Sequence, residues 1–494
     1  MSQQQVDEET PLLQPVQQKK ARTPLPWRQF SIILFLQLAE PLTSQVIAPF
    51  APQLIRDIGV TDGDETRVGY YVGLMHSLFF ATQALTVLHW SRISDHIGRK
   101  PVILTGLFGL SISMYCFGLS RTFVGLVLSR ALNGALNGNI GVIKSMMVEI
   151  TDSTNLAQAY AYMPIAWSSG GALGPLIGGS LSRPADRFPN IFGHSQFMKT
   201  YPYFLACAVP ATFSILAWVV TFLFLQETVS TRVTPWRLLK GQSREHSTPV
   251  KGPVTPTGST DFLSTEDTPQ RAKADDSKPL PLRSLLIPRV IIAAGNYAAL
   301  SFLDIAFRAV QPVFFATPLE LGGLGLDPPR IGNILAIYGV INGLFQIFFF
   351  ADLHDRFGSK MIYSVSMAAA IPMIITLPII NAVARVQGLS LMVWAIVGLQ
   401  LALSMILNLA YSCVFIYIAA ASPNQASLGA TNGIAQLGVS IARTIGPASA
   451  TSTFSFSIKN PHHAWIVYYY LIALVCIGIC MSLLLPRRLW KNHH

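Results

Sequence analysis

Residues 91–104 read SRISDHIGRKPVIL, and residues 351–363 read ADLHDRFGSKMIY. Each is a short polar phrase set between long apolar runs. Asp95 and Asp355 stand 260 residues apart, as do Gly98 and Gly358. GGALGPLIGG (170–179) and SIARTIGPAS (440–449) repeat the relation, with Gly174-Pro175 and Gly446-Pro447 separated by 272. Two landmarks in the same order predict an internal duplication, one polar hairpin in each half.

The solvent of this chain follows from its composition. Of 494 residues, 51% are hydrophobic and 12% charged, where a soluble domain carries about a quarter charged residues. The mean hydropathy is +0.45. The net charge of +11 sits mainly in the connections between apolar runs, the pattern of membrane topology, which argues against nucleic acid as a partner. Five cysteines (Cys116, Cys207, Cys413, Cys476, Cys480) lie in apolar segments with neither metal spacing nor a disulfide framework. No Asn-x-Ser/Thr sequon occurs, and the N-terminal stretch lacks the apolar core of a cleaved signal.

A membrane span needs about 20 apolar residues. Such windows fall at 29–56, 68–90, 101–119, 122–148, 157–181 and 201–226, then at 288–316, 331–351, 360–383, 389–420, 427–451 and 464–485. The expected fold is therefore an all-α membrane protein of twelve transmembrane helices in two pseudo-symmetric six-helix bundles. The runs are continuous rather than alternating, which excludes a β-barrel. The expected organisation is a disordered tail (1–27), an N-terminal bundle (28–226), a disordered linker (227–284) rich in Pro, Ser and Thr, a C-terminal bundle (285–486) and a short tail (487–494). Lys19, Lys20, Arg22, Arg28, Arg92, Arg99, Lys100, the basic residues of the linker, Arg487, Arg488 and Lys491 fall on one side if both termini are cytoplasmic, with Arg183, Arg187, Lys199, Arg385 and Lys459 as scattered exceptions on the other.

These motifs resemble those of the major facilitator superfamily. SDHIGRKP resembles its loop motif, with Ser91 and His96 at two positions where the pattern has Gly and Arg, and with Asp95, Gly98, Arg99 and Lys100 retained. LSRALNGALNGNIG resembles the fourth-span motif around Arg130. GGALGPLIGG matches the fifth-span pattern at Gly170, Gly174, Pro175, Gly178 and Gly179, a motif the family associates with proton antiporters. AEPLTSQVIAPFAPQLIRD, LGPLIGGSLSRPADRFPNIFG and YPYFLACAV are similar to the zinc-induced facilitator-like branch of plants and fungi, close to the drug:proton antiporters. The resemblance implies two bundles that alternate around a midplane site. It implies export of a small organic molecule, drug, toxin or metal chelate against proton flow, no enzymatic activity, no cofactor, and a monomer in the lipid bilayer at the vacuolar or plasma membrane.

Ionisable residues well inside apolar spans are costly, about 2.5–3.5 kcal/mol each at the bilayer centre, so they are functional candidates. Lipid-depth burial penalises a carboxylate's charged form, which suits Glu40 to carry protons; the plainer reading is a structural carboxylate at the Pro41 kink. Arg130 is a coupling candidate by resemblance, or an arginine that locks packing. Asp304 and Arg308, four apart on one helix face, form either a self-neutralising pair or a cavity site. Arg443 is placed to bind an anionic group or to partner the gate. Gln37, Trp167 and Asn296 are expected to line the cavity with these three, although each also fits ordinary helix packing. Asp95, Gly98, Arg99, Lys100, Asp355, Arg356 and Gly358 are expected to form a gating loop, with Asp95 and Arg99 tying helix ends across the inner gate. The ten histidines include the adjacent pairs His462-His463 and His493-His494 but no metal spacing. EETPLL (8–13) is an acidic dileucine pattern, and Thr248, Thr255 and Thr268 each precede proline. The alternative functions are a nutrient importer or uniporter on the same fold and a non-transporting membrane sensor.

Overall fold

The computed structural model describes residues 23–152, 155–228, 282–423 and 427–490. The dileucine pattern, the three Thr-Pro pairs and almost all of the expected linker lie outside these residues. Within them the chain is helical, with no strand among the described residues.

Seven helices are long and apolar enough to cross a membrane. They are Arg99–Gly118 (α3), Phe204–Phe224 (α6), Pro288–Ala316 (α7), Pro328–Phe350 (α8), Asp352–Gln387 (α9), Leu391–Ala421 (α10) and Ile466–Leu483 (α12). The other five complete the twelve. Val68–Ile97 (α2), Leu156–Leu181 (α5) and Leu428–Lys459 (α11) are long but more polar. Two more are interrupted. The first span is Trp27–Gln37 continued by Ala39–Gln45 (α1), and the fourth is Phe123–Leu136 continued by Asn139–Ile150 (α4). Proline explains the α1 interruption: Pro41 has no N–H for the Gln37 carbonyl, and the helix breaks at Leu38. The first span also ends earlier than its apolar run suggests, because residues 46–50 turn and Ala51–Ile58 forms a separate helix.

The doubled phrase is a corner of one residue in each half. Gly98 (φ 109°) separates α2 from α3, and Gly358 (φ 73°) bends the run Pro328–Gln387 where α8 gives way to α9. Those φ values favour glycine, which lacks the Cβ that crowds them.

The bundles meet along two helix pairs related by the repeat, α5 with α8 and α2 with α11. Small residues set both contacts. A Cβ on Gly179 would lie 2.7 Å from the Pro328 carbonyl oxygen and 2.9 Å from the Gly332 Cα, and one on Gly73 would lie 2.8 Å from the Pro447 carbonyl oxygen. Across the second pair, the Tyr70 N–H donates to Ser455 Oγ at 3.0 Å and the Ala448 N–H to Ser77 Oγ at 3.0 Å. These approaches cluster toward the side opposite the termini. Toward the termini side Leu85 of α2 is 73% exposed and Leu437 of α11 is 51% exposed.

Candidate functional site

The cleft between the bundles is walled by α1, α2, α7 and α11. Its far end is lined by Ser44, Gln45, His76, Phe80, Arg308 and Pro447 among others, around a pocket of about 60 Å3.

Glu40 stands where the bundles meet. It is part-buried on α1, beside Asn137 of α4 and Gln83 of α2, within electrostatic reach of Lys144 of α4 and Arg443 of α11. Arg443 lies over the Phe80 ring at 6.0 Å. Beside this carboxylate Gln83 Nε2 and both Asn137 Nδ2 and Oδ1 make no close hydrogen bond, and neither does Gln37 Oε1 elsewhere on α1. Buried polar atoms are nearly always paired, and the Asn137 and Gln83 amides lie close enough to the Glu40 carboxylate to interact with it. Asn137 owes its position to the α4 break, where Thr86 Oγ1 and Trp90 Nε1 take up the freed carbonyls of Gly134 (3.5 Å) and Ala135 (2.8 Å).

Arg130 is elsewhere. It is 1% exposed, deep in the N-terminal bundle, with Nη2 3.5 Å from His76 Nδ1. Its guanidinium lies over the rings of Phe79 (5.2 Å) and Phe117 (5.8 Å), and Nε and Nη1 have no hydrogen-bond partner. It is not paired with Glu40. Through His76 it touches the cleft lining without entering it.

In the C-terminal bundle Asp304 and Arg308 do pair, at 2.8 Å. They are also more than a closed pair. Asp304 Oδ2 accepts from Tyr411 at 2.9 Å, Arg308 Nη2 donates to Asn408 Oδ1 at 3.0 Å, and Asn408 Nδ2 donates to Tyr338 at 2.5 Å. Three helices, α7, α8 and α10, are stitched together by this network, and Arg308 still faces the cleft.

Asn296 is fully buried and holds α7 against its neighbours: Nδ2 donates to Ile292 O and Met481 O, and its backbone carbonyl accepts from Tyr363. One helix turn decides this, because Asn296 lies on the α7 face turned to α9 and α12. Trp167 is 37% exposed on α5.

Arg99, Lys100 and Lys360 of the hairpins form clamps inside their own bundles. Arg99 Nη2 pairs with Glu149 at the end of α4 (2.8 Å), and Nη1 donates to Ser94 (2.6 Å). Glu227 accepts the Arg99 and Lys100 N–H groups at 2.8 and 3.1 Å, capping α3. Lys100 Nζ reaches Phe222 O at the end of α6 (2.8 Å), as Lys360 Nζ reaches Leu483 O at the end of α12 (3.2 Å). The Asp95 side chain lies outside the described residues. Asp355 is 85% exposed beside His354 at 3.7 Å, and Arg356 is exposed.

Gly170, Gly174 and Gly178 seat α5 on α1. A Cβ there would lie 2.6 Å from Pro41 Cβ, 2.9 Å from Gln45 Cβ and 1.8 Å from Val46 O. Pro175 leaves α5 unbroken.

The sequence reading passed over Lys144, His76, Gln83 and Asn137. Lys144 had a visible signal, a lysine four residues inside the end of an apolar run. The neutral residues gave none, because only the fold brings them to Glu40. No group of three or more His, Cys, Asp and Glu with metal-holding geometry occurs among the described residues.

Residues 33–319 match the family model described as the Major Facilitator Superfamily. The major facilitator-type transporter psiT2 of Psilocybe cyanescens is 30% identical over 489 residues, covering 94% of this chain and 92% of that protein. The major facilitator superfamily multidrug transporter mfsB of Aspergillus fumigatus is 28% identical, covering 92% and 82%. Protein ZINC INDUCED FACILITATOR 1 of Arabidopsis thaliana is 28% identical, covering 94% and 93%. The solved D-xylose-proton symporter shares the fold, with a TM-score of 0.64 at 13% identity over 94% of this chain and 99% of that one.

Proposed function

The chain belongs to the major facilitator superfamily, and from that premise we propose that it is a secondary active transporter of a small organic molecule, free or as a metal chelate, with protons as the coupling ion at Glu40. The two bundles rock about the central cleft. One observation carries the coupling: Glu40 lies at the seam with a cation from each bundle in reach, Lys144 from the first and Arg443 from the second. A proton arriving on Glu40 changes the attraction across the seam, and therefore the relative stability of the two arrangements of the bundles. Arg130 supports this from behind, its charge held against His76 on the cleft wall. Export is the direction supported by the GGALGPLIGG pattern. The basic residues of the connections support cytosolic termini, and the dileucine pattern supports an address at the vacuole.

The test uses sealed membrane vesicles carrying the protein, incubated with a mixture of drugs, weak acids and metal chelates, with an imposed pH gradient and mass-spectrometric readout. At least one compound is expected to move in a protein-dependent way that stops when an ionophore collapses the gradient. Movement that continues unchanged after the collapse contradicts proton coupling.

A further inference from the structure

Glu40, Lys144 and Arg443 form a triangle in which each group lies within electrostatic reach of the other two. The two cations have no hydrogen bond or ion pair among the described residues; Arg443 rests on the Phe80 ring. Arg308, the third cation of the cleft, is by contrast neutralised by Asp304 at 2.8 Å. Three cations thus stand against two carboxylates, and the excess sits at Lys144 and Arg443. Cations at membrane depth are rarely left without a partner.

A second observation points the same way. The break in α4 starts a fresh helix of 12 residues, Asn139–Ile150, at membrane depth. Its free N–H groups and positive dipole end favour an anion, and broken helices in transporters present such ends to substrate. Asn137, fully buried at this break, makes no close hydrogen bond through either amide atom. The group beside it is the Glu40 carboxylate.

We propose that Lys144, Arg443 and the Asn137 amide bind a carboxylate group of the transported molecule, in the place that Glu40's own carboxylate otherwise occupies. Glu40 faces Gln83 of α2, Asn137 and Lys144 of α4 and Arg443 of α11. Protonating it removes the competing anion and leaves both cations to the substrate. The proton and the organic anion therefore enter the site together, a cotransport that departs from the exchange implied by the α5 motif. Such a carrier releases an acid whose concentration inside exceeds that outside.

This assignment rests on the transporter reading, but its test needs no gradient and no flux, so the two can fail separately. The unfolding temperature of the full chain in detergent is measured against increasing 4-phenylbutyrate, its amide 4-phenylbutyramide and its amine analogue 4-phenylbutylamine, at pH 5.5 and 7.5. The carboxylate is expected to stabilise the protein, more strongly at pH 5.5, and the amide and amine are not. Lys144→Gln and Arg443→Gln should each weaken the apparent affinity about tenfold or more, while Lys144→Arg retains it. Glu40→Gln should keep the stabilisation and lose its pH dependence. The proposal is overturned if the amine stabilises as well as the carboxylate, if none of the three probes shifts the unfolding temperature, or if both Gln variants bind as wild type does. The two Gln variants are read independently, and the preference among probes in the wild-type chain decides by itself if either variant misfolds.

Discussion

At the scale of single residues, the sequence shows which side chains are expensive but not whom they face. Glu40 and Arg130 both stand out as charges in apolar runs. Glu40 proved to sit at the seam and Arg130 to be sealed behind His76, a difference set by helix rotation and invisible in the chain. Lys144 could have been read from the same signal. Glu40→Gln should fold, since a neutral amide replaces a part-buried acid, and should transport without response to a pH gradient; full gradient response in that variant, read in the vesicle assay, removes Glu40 from the coupling. Outside the membrane, Asp64 caps the turn into α2 by accepting from the Thr66 N–H at 2.9 Å and its hydroxyl at 2.5 Å. The Thr66 hydroxyl and then its N–H, with Arg67 beside them, hold the Asp64 carboxyl below its ordinary range. A carboxyl lowered in the folded state contributes stability that is present above its unfolded value and lost as pH falls through the folded one. Asp64→Ala should therefore cost about 1 kcal/mol at neutral pH, and the difference in unfolding temperature between variant and wild type should vanish below pH 3.

Among the elements, the α5 glycines separate two kinds of close packing. Gly178 meets the α1 backbone inside one bundle, whereas Gly179 and Gly332 meet each other across the seam. Adding a methyl group to either kind overpacks the contact, at about 1–3 kcal/mol, with different consequences. Gly178→Ala should destabilise the N-terminal bundle and lower the yield of folded protein. Gly332→Ala, whose Cβ would lie 2.4 Å from Pro175 O, should leave the bundles folded and loosen the far-side seal, read as faster labelling of cysteines placed along α5 and α8 from that side. The hairpins carry a parallel lesson. In the first, Ser94 meets Arg99; in the second, His354 meets Ser359 at 2.8 Å, so long and short partners have traded places at equivalent positions. The repeat made both corners legible, since glycine and lysine recur in register. The partners of Arg99 were not, because Glu149 and Glu227 lie 50 and 128 residues further along the chain. Arg99→Gln should destabilise the N-terminal bundle by about 2 kcal/mol, the scale of a hydrogen-bonded charge, with Glu149→Gln similar and the double variant no worse than either, as thermal unfolding would show.

For the whole molecule, the twelve spans and the two halves were readable from hydropathy and from the repeat, because lipid imposes length and composition on every span. The spans that fall short of the strictest apolar measure are also informative. α1, α2, α4, α5 and α11 are those that are broken or polar, and each packs at the seam or carries a residue of the Glu40 cluster. Polarity that would be costly against lipid is spent lining the cleft. What hydropathy could not convey is the arrangement of the halves, closed on the far side by α5 with α8 and α2 with α11. That arrangement is one of the two states required by a rocking transporter, and protonation of Glu40 is the event that should shift the balance between them. The most direct measurement places spin labels at Leu85 of α2 and Leu437 of α11, both exposed toward the termini side, after the exposed Cys116, Cys476 and Cys480 are replaced. Pulsed electron resonance then gives the distance distribution in lipid nanodiscs at pH 5.5 and pH 8. Two distances whose proportions shift with pH in the otherwise wild-type chain, and stay fixed in Glu40→Gln, are the predicted result; a distribution indifferent to pH, or one whose pH response survives Glu40→Gln, would contradict it.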